Sequence, residues 1–391
     1  MDAGGSPGTP TCSRSKNQRT NLIQKRFSMR TASELIAAGL APEEQRHAIE
    51  EIAAAYAIGV TRTLANLIDR SDPADPIARQ FVPDPAELLR QPEEMDDPTG
   101  DGAYSPLEGI VHRYPDRVLL KLLHTCPVYC RFCFRRTVVG QERSVLLAPR
   151  ALDAAIAYIA ARPEIWEVIL TGGDPLTLSA RRIAGFMKRL RAIEHVKILR
   201  VHTRVPVADP AMVTPELPKI LLASGKSVYV ALHANHPREL TKAARAACAR
   251  LIDGGIPMLS QSVLLAGVND DIDTLAKLMR VFVEMRIKPY YLHQLDPAPG
   301  TAHFRVPIAK GQELMHQLLG RVSGLCQPHY MLEIPGGYGK SPIGPNYLTE
   351  GDSAGTYSIA DYRGRPHVYA EAAHKAKENC GEDERTPVKL D

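Results

Sequence analysis

Val118-Leu119-Leu120-Lys121-Leu122-Leu123-His124-Thr125-Cys126-Pro127-Val128-Tyr129-Cys130-Arg131-Phe132-Cys133 is an apolar strand pattern that runs straight into three cysteines within eight residues. Iron–sulfur clusters are held by thiolates, ordinarily four. Three thiols on one loop can hold three irons of a cubane and leave the fourth iron without a protein ligand, open to a reactant. Two plainer readings stand beside this one. A structural zinc site would need a fourth ligand such as His124, and zinc sites usually pair C-x₂₋₄-C with a second, distant pair. Reduced core thiols are the other. The spacing favours the cluster.

Outward from this loop, short apolar runs alternate with amphipathic helical patterns. Strands are expected at 118–123, 167–171, 197–202, 228–233, 257–263 and 289–294, with helices near 151–161, 179–193, 212–223, 239–253, 272–286 and 310–324. Six βα units in series imply a parallel sheet with right-handed crossovers. Two units are lacking for a full eight-fold barrel. The expected fold class is α/β, a partial (β/α)6 barrel of the TIM type carrying an N-terminal helical extension. The chemically unusual residues share one address: Cys126 to Cys133 follow the first strand, Gly172-Gly173-Asp174-Pro175 the second, and His202 and Arg204 end the third. His233 ends the fourth, Gln261 lies near the end of the fifth, and Asp296 follows the sixth. Parallel α/β folds build active sites at that edge.

The remaining segments divide the chain. Residues 1–30 read as a disordered basic tail, with a transit peptide as the less favoured alternative and Met29 as an alternative start. Residues 31–104 comprise a helical stretch over 32–69 and a Pro/Asp-rich linker from Asp72 to about Gly102; 105–350 hold the barrel, and 351–391 a C-terminal extension. Of the net charge of +4, Arg14, Lys16, Arg19, Lys25, Arg26 and Arg30 against Asp2 place +5 in the tail, leaving the rest at −1. That near-neutral body gives no electrostatic case for nucleic acid. No apolar run approaches the roughly 20 residues of a membrane helix. Seven cysteines in 391 residues, four of them scattered, do not form a disulfide scaffold and suit a reducing compartment, the cytoplasm.

Two further motifs carry chemistry. A Gly-Gly turn at Gly172-Gly173-Asp174 lets backbone approach a ligand closely, although such a turn after a strand is often only a turn. Lys340 lies in Pro335-Gly336-Gly337-Tyr338-Gly339-Lys340-Ser341. The Gly-Lys-Ser ending is not a phosphate loop, because that motif needs glycine where Ile334 stands.

Cys-x₃-Cys-x₂-Cys with an aromatic before the last cysteine resembles the radical S-adenosylmethionine (SAM) signature, and from about Leu107 to Tyr347 the chain resembles the lysine 2,3-aminomutase family. The segments that carry it include HRYPDRVLLKLLHTCPVYCRFCFRR, LTGGDPL, HTRVPV, HANHP, QSVLLAGVND, PYYLHQLDPAPGTAHFRVP and PGGYGKSP. The resemblance implies a [4Fe–4S] cluster on Cys126, Cys130 and Cys133, with SAM on the open iron. Gly172, Gly173 and Asp174 match the motif whose backbone meets the SAM amino group, and His233 and Gln261 match further SAM contacts. Lys340 matches the lysine that binds pyridoxal 5′-phosphate (PLP), with Arg113 and Arg204 at basic positions near the PLP phosphate. Arg135 matches the arginine for the substrate carboxylate, and Asp296 and Glu333 the two acids that take the ε-ammonium of lysine. Glu333 stands where aspartate is commoner, which keeps the charge and lengthens the reach.

One departure bears on assembly. Many bacterial aminomutases carry a C-terminal zinc site; here Asp271 follows the GVND segment, and only Cys380 lies beyond Cys326, so no structural zinc is expected. This moves the resemblance toward shorter relatives that make (R)-β-lysine for elongation factor P. The implied activity is that of an isomerase moving the amino group of L-lysine from C2 to C3. Rival readings are another cationic amino acid, arginine or ornithine, and, from a different class, an iron–sulfur electron-transfer or redox protein. Expected partners are a small-molecule amino acid and a reductant such as flavodoxin or ferredoxin, with no nucleic acid and no membrane. The sequence leaves self-association into a homo-oligomer open.

Overall fold

The computed structural model describes residues 29–140 and 146–371. The basic tail, up to residue 28, lies outside them. The chain separates into two compact units, Met1–Gly344 and Pro345–Asp391.

The first unit is built on one nine-stranded sheet whose spatial order equals chain order: β1 (Ile110–Tyr114), β2 (Arg117–Leu123), β3 (Glu167–Gly172), β4 (Ile198–Thr203), β5 (Ser227–His233), β6 (Met258–Val263), β7 (Ile287–His293), β8 (His329–Ile334) and β9 (Gly339–Pro342). Strands β2 to β8 run parallel, while β1 and β9 pair antiparallel at the two ends. The six expected βα units are all present. Helix Ile308–Arg321 then carries the chain into a seventh parallel strand, β8, whose short pattern His329–Ile334 gives little periodic signal beside a lysine loop.

Strand β2 shows why these sequences become barrel staves. Its Val118, Leu120 and Leu122 are buried, and Arg117, Leu119 and Lys121 between them face the other way. Register aligns Val118 with Val168, Leu199 and Val228, a fully apolar row across four strands that packs beneath the outer helices. Each such side chain contributes about 1.5–3 kcal/mol relative to exposure. Closed barrels fill their interior with branched aliphatics. Here the inner face instead carries His202, His233, Gln261 and His293, and the barrel stays hollow. Among the described residues no backbone ladder joins β1 to β9. Side chains bridge that seam: Arg113 of β1 ion-pairs Glu333 of β8, and the Lys340 amide of β9 donates to the Tyr114 hydroxyl at 2.8 Å.

The N-terminal segment is continuous with the barrel rather than a separate domain. The helical pattern expected over 32–69 is broken into Ala32–Ala37, Arg46–Ala55 and Arg62–Ala65, with Tyr56 extended and Thr61 recapping the chain. The broken stretch and the following linker grip the cysteine loop. Tyr129 N–H donates to Gly59 O (3.0 Å), Arg131 N–H to Gln80 O (2.9 Å), and the Arg131 guanidinium to Ala57 O (2.8 Å). Glu87, fully buried, accepts from Arg131 Nε at 2.9 Å and also pairs Arg136.

The second unit's described part is a three-stranded antiparallel sheet, β10 (Leu348–Glu350), β11 (Thr356–Ala360) and β12 (Pro366–Ala370), largely exposed. Among the described residues no helix is long and apolar enough to cross a membrane.

Replacing Glu87 by glutamine leaves two buried guanidinium groups facing a neutral partner. Breaking such a pair costs about 3–5 kcal/mol. Urea unfolding of the cluster-free protein is expected to show a loss of that size; an unchanged midpoint would refute the triad's structural role.

Candidate active site

A cavity of about 590 Å³ occupies the barrel, and the residues expected to hold the cluster, SAM, PLP and substrate all line it. That volume lies in the range of small-molecule and cofactor sites.

At one end lie the cysteines. Burial pushes all three thiols up, Cys130 to about 11 and Cys126 well beyond the usual range. Without a metal they are protonated, so taking up iron releases protons. Among the described residues no three His, Cys, Asp or Glu side chains converge on a point as a single metal ion requires. A cubane makes no such demand, since each thiolate takes its own iron. The loop is positioned from β3. A Cβ on Gly173 would lie 2.3 Å from Thr125 O, so only glycine lets this turn press against the residue before Cys126. Asp174 N–H then donates to Thr125 O at 2.9 Å. The Asp174 carboxylate faces inward to protein, accepting from Leu176 N–H (3.0 Å), Thr203 Oγ1 (2.8 Å), Arg204 N–H (2.6 Å) and Val205 N–H (3.2 Å). Burial pushes its pKa up to about 6 despite those donors.

Arg204 departs from its expected place. Its guanidinium donates to the buried Glu239 at 2.8 Å, lies against Phe81 and Phe132, and the charge that most favours it is Cys130. The ion pair with Glu239 holds it beside the thiols, where it would counter cluster charge rather than a phosphate. Arg113 alone of that expected pair stands by Lys340.

Midway, His233 is held neutral: burial, then Arg204, pushes it down to about 4, against a hydrogen bond that the ring donates to Gln261. Among the described residues His202 Nε2 and His233 Nε2 are buried without hydrogen-bond partners. Buried polar atoms are rarely left so. In a cavity they fit a polar ligand such as SAM.

Lys340 lies at the other end with both acids. Its ammonium ion-pairs Glu333, and the charge of Asp296 also favours its protonated form. Burial nonetheless lowers Lys340 to about 8 and raises Asp296 to about 6. A lysine so depressed supplies neutral amine near physiological pH, which imine formation with PLP requires. Arg135 acts on both ends, since its charge reaches Cys133 and Lys340 alike.

Residues 120–279 match the radical SAM superfamily. The L-lysine 2,3-aminomutase of Acetoanaerobium sticklandii is 42% identical over 309 residues, 79% of this chain and 74% of that protein. The L-lysine 2,3-aminomutase of Clostridium subterminale is 39% identical over 306 residues, 78% and 73% respectively. The chain belongs to the lysine 2,3-aminomutase family. A glutamate 2,3-aminomutase from Clostridioides difficile is 34% identical over 332 residues, 85% of this chain and 77% of that protein, so side-chain preference varies among relatives. The cofactors of a lysine 2,3-aminomutase family member are a [4Fe–4S] cluster, SAM and PLP, and the thiol loop, the unpartnered histidines and the depressed lysine fit all three.

Sequence reasoning missed Asp101, which pairs Arg135 at 3.0 Å and Arg113 at 3.4 Å. One aspartate among several in a linker gives no signal for a contact 34 residues away along the chain. Glu87 and Glu239 escaped notice for the same reason.

Amine-selective labelling of Lys340, followed by mass spectrometry across pH, is expected to show a midpoint near pH 8. Asp296 raises that pKa, so Asp296→Asn should move the midpoint lower. A midpoint near the ordinary lysine value would contradict the burial argument.

Proposed function

We propose that this protein is an isomerase that moves the amino group of L-lysine from C2 to C3, giving β-lysine. One observation carries the choice of substrate: Glu333 ion-pairs the primary ammonium of Lys340, and the charge of Asp296, in the same cavity, favours that same ammonium. Once Lys340 is committed to PLP, the two acids lose that cation, and a cationic substrate side chain takes its place.

When bound, the cluster and SAM supply a carbon radical able to take hydrogen from an unactivated C–H bond, and PLP supplies the imine through which nitrogen migrates. The chain's own residues do the rest. Arg135 takes the substrate carboxylate, for which a planar guanidinium is suited. Asp296 and Glu333 hold the distal ammonium. A grip at both ends fixes the substrate's span and therefore the position of its reacting carbons, which is the largest service a protein can give such chemistry. Neutral His233 keeps Nε2 available as a hydrogen-bond partner without adding charge. Phe132, Val263 and Leu295 line the cavity near the thiols as an apolar wall that excludes water. Cys126, Cys130 and Cys133 hold the cluster, with Gly172, Gly173, His233 and Gln261 around SAM and Arg113 on the PLP side.

A glutamate side chain would bring a third carboxylate against Asp296 and Glu333. Two unit charges 4 Å apart repel by about 4 kcal/mol at an effective dielectric of 20. Lysine is therefore favoured over glutamate, with ornithine and arginine as nearer competitors. The reductant is a flavodoxin or ferredoxin, the setting the cytoplasm, and synthesis of β-lysine for elongation factor P a fitting use.

Reconstituted anaerobically with iron, sulfide, SAM, PLP and dithionite, the protein should convert L-lysine to β-lysine and leave L-glutamate untouched. Absence of product under a verified reduced cluster would sink the assignment. Borohydride treatment of PLP-loaded enzyme should fix the cofactor on Lys340. Asp296→Asn should lower kcat/KM for lysine by about 100-fold, the scale of losing one buried ionic contact.

A further inference from the structure

The turn from Asp97 to Tyr104 brings a third carboxylate, Asp101, against Arg113 and Arg135 of the cavity wall. Asp97 folds the turn: its Oδ1 accepts from Asp101 N–H at 2.9 Å, its Oδ2 from Gly102 N–H at 2.8 Å, and its carbonyl from Gly100 N–H at 3.1 Å. Gly100 has φ +63, and a Cβ there would lie 2.6 Å from Gly337 N, so the turn is pressed against the backbone just before Lys340. This places the Asp101 side chain, 13% exposed, between Arg135, Arg113 and Lys121. Burial opposes its charge, but Arg135, then Lys121 and Arg113, outweigh it and hold Asp101 below the usual carboxylate range.

The atoms define what Asp101 does to Arg135. A guanidinium offers two bidentate edges, Nε–Nη2 and Nη1–Nη2. Asp101 Oδ2 takes the first, at 3.3 Å from Nε and 3.0 Å from Nη2. Among the described residues the second edge carries only a long contact from Nη1 to Thr171 Oγ1, 3.3 Å. Arg135 and Thr171 both line the cavity. We propose that Asp101 is a positioning residue that grips the rear edge of Arg135 and turns the Nη1–Nη2 edge toward the carboxylate of the amino-acid substrate. Through its other oxygen the same carboxylate steadies Arg113, so one turn aligns two cationic groups that face anions, while its backbone buttresses the Lys340 loop. A cation paired on one edge also stays oriented when the site is empty, which lowers the cost of ordering it on binding.

The inference rests on the reading of Arg135 as the substrate-carboxylate partner, and the test separates the two. Anaerobic holoenzyme with saturating PLP is titrated with L-lysine and with cadaverine, which keeps the distal ammonium and one reacting amine but lacks the carboxylate; the change in PLP absorbance reports binding without turnover. For Asp101→Asn, lysine binding should weaken by about tenfold or more, the scale of a charge-assisted contact, with cadaverine unchanged. Asp101→Glu should recover part of the loss. Equal weakening of both ligands would reveal a merely structural effect and overturn the proposal. Tighter lysine binding would do so too, by showing Asp101 to be a competitor for Arg135. Arg135→Met should likewise penalise lysine alone; if it does not discriminate, the assignment of Arg135 fails and the role of Asp101 falls with it.

Discussion

A loop that carries three thiols can also carry Arg131 and Arg136 into the interior because one buried carboxylate, Glu87, takes both guanidinium groups. Neither arginine could be desolvated alone, since an unpaired buried charge costs several kcal/mol even after relaxation. Glu87 comes from the segment before the barrel, as do the carbonyls of Ala57, Gly59 and Gln80 that receive the loop's donors. The N-terminal extension is therefore half of the cluster housing. Without it the cysteine loop would expose unsatisfied N–H groups and two uncompensated cations at the mouth of the barrel.

The same principle repeats along the cavity. Arg204 is balanced by Glu239, Arg113 by Glu333 and Asp101, and Arg135 by Asp101. Each pair fixes one cation against a defined neighbour, so the site is ordered before any ligand arrives. Lys340 is the exception that chemistry needs: burial depresses it enough to yield neutral amine although Glu333 pairs with it and the charge of Asp296 favours its protonated form. A hollow barrel makes this possible. Polar residues replace the aliphatic layers, and side chains across the β1–β9 seam stand in for the missing backbone ladder.

What the sequence by itself determined is local. Alternating burial in strands such as Val118–Leu123 and the amphipathic helices between them give six βα units, because period and apolar content are properties of a few consecutive residues. Three thiols in eight residues are local in the same sense, and they pointed to the cysteine loop. Lys340, Arg135, Asp296 and Glu333 were legible through a resemblance to a family rather than through any physical pattern of their own.

Tertiary structure decided the rest. It moved Arg204 to the cysteine end, joined the linker to the active site through Asp101, added β8 with its flanking antiparallel strands, and chose Glu87 and Glu239 as the buried counter-charges. Each of these depends on which distant groups share a desolvated space, and a carboxylate in a linker looks the same in sequence whether it meets water or an arginine. Ion pairing inside a protein is set by three-dimensional proximity and burial, neither of which has a period along the chain.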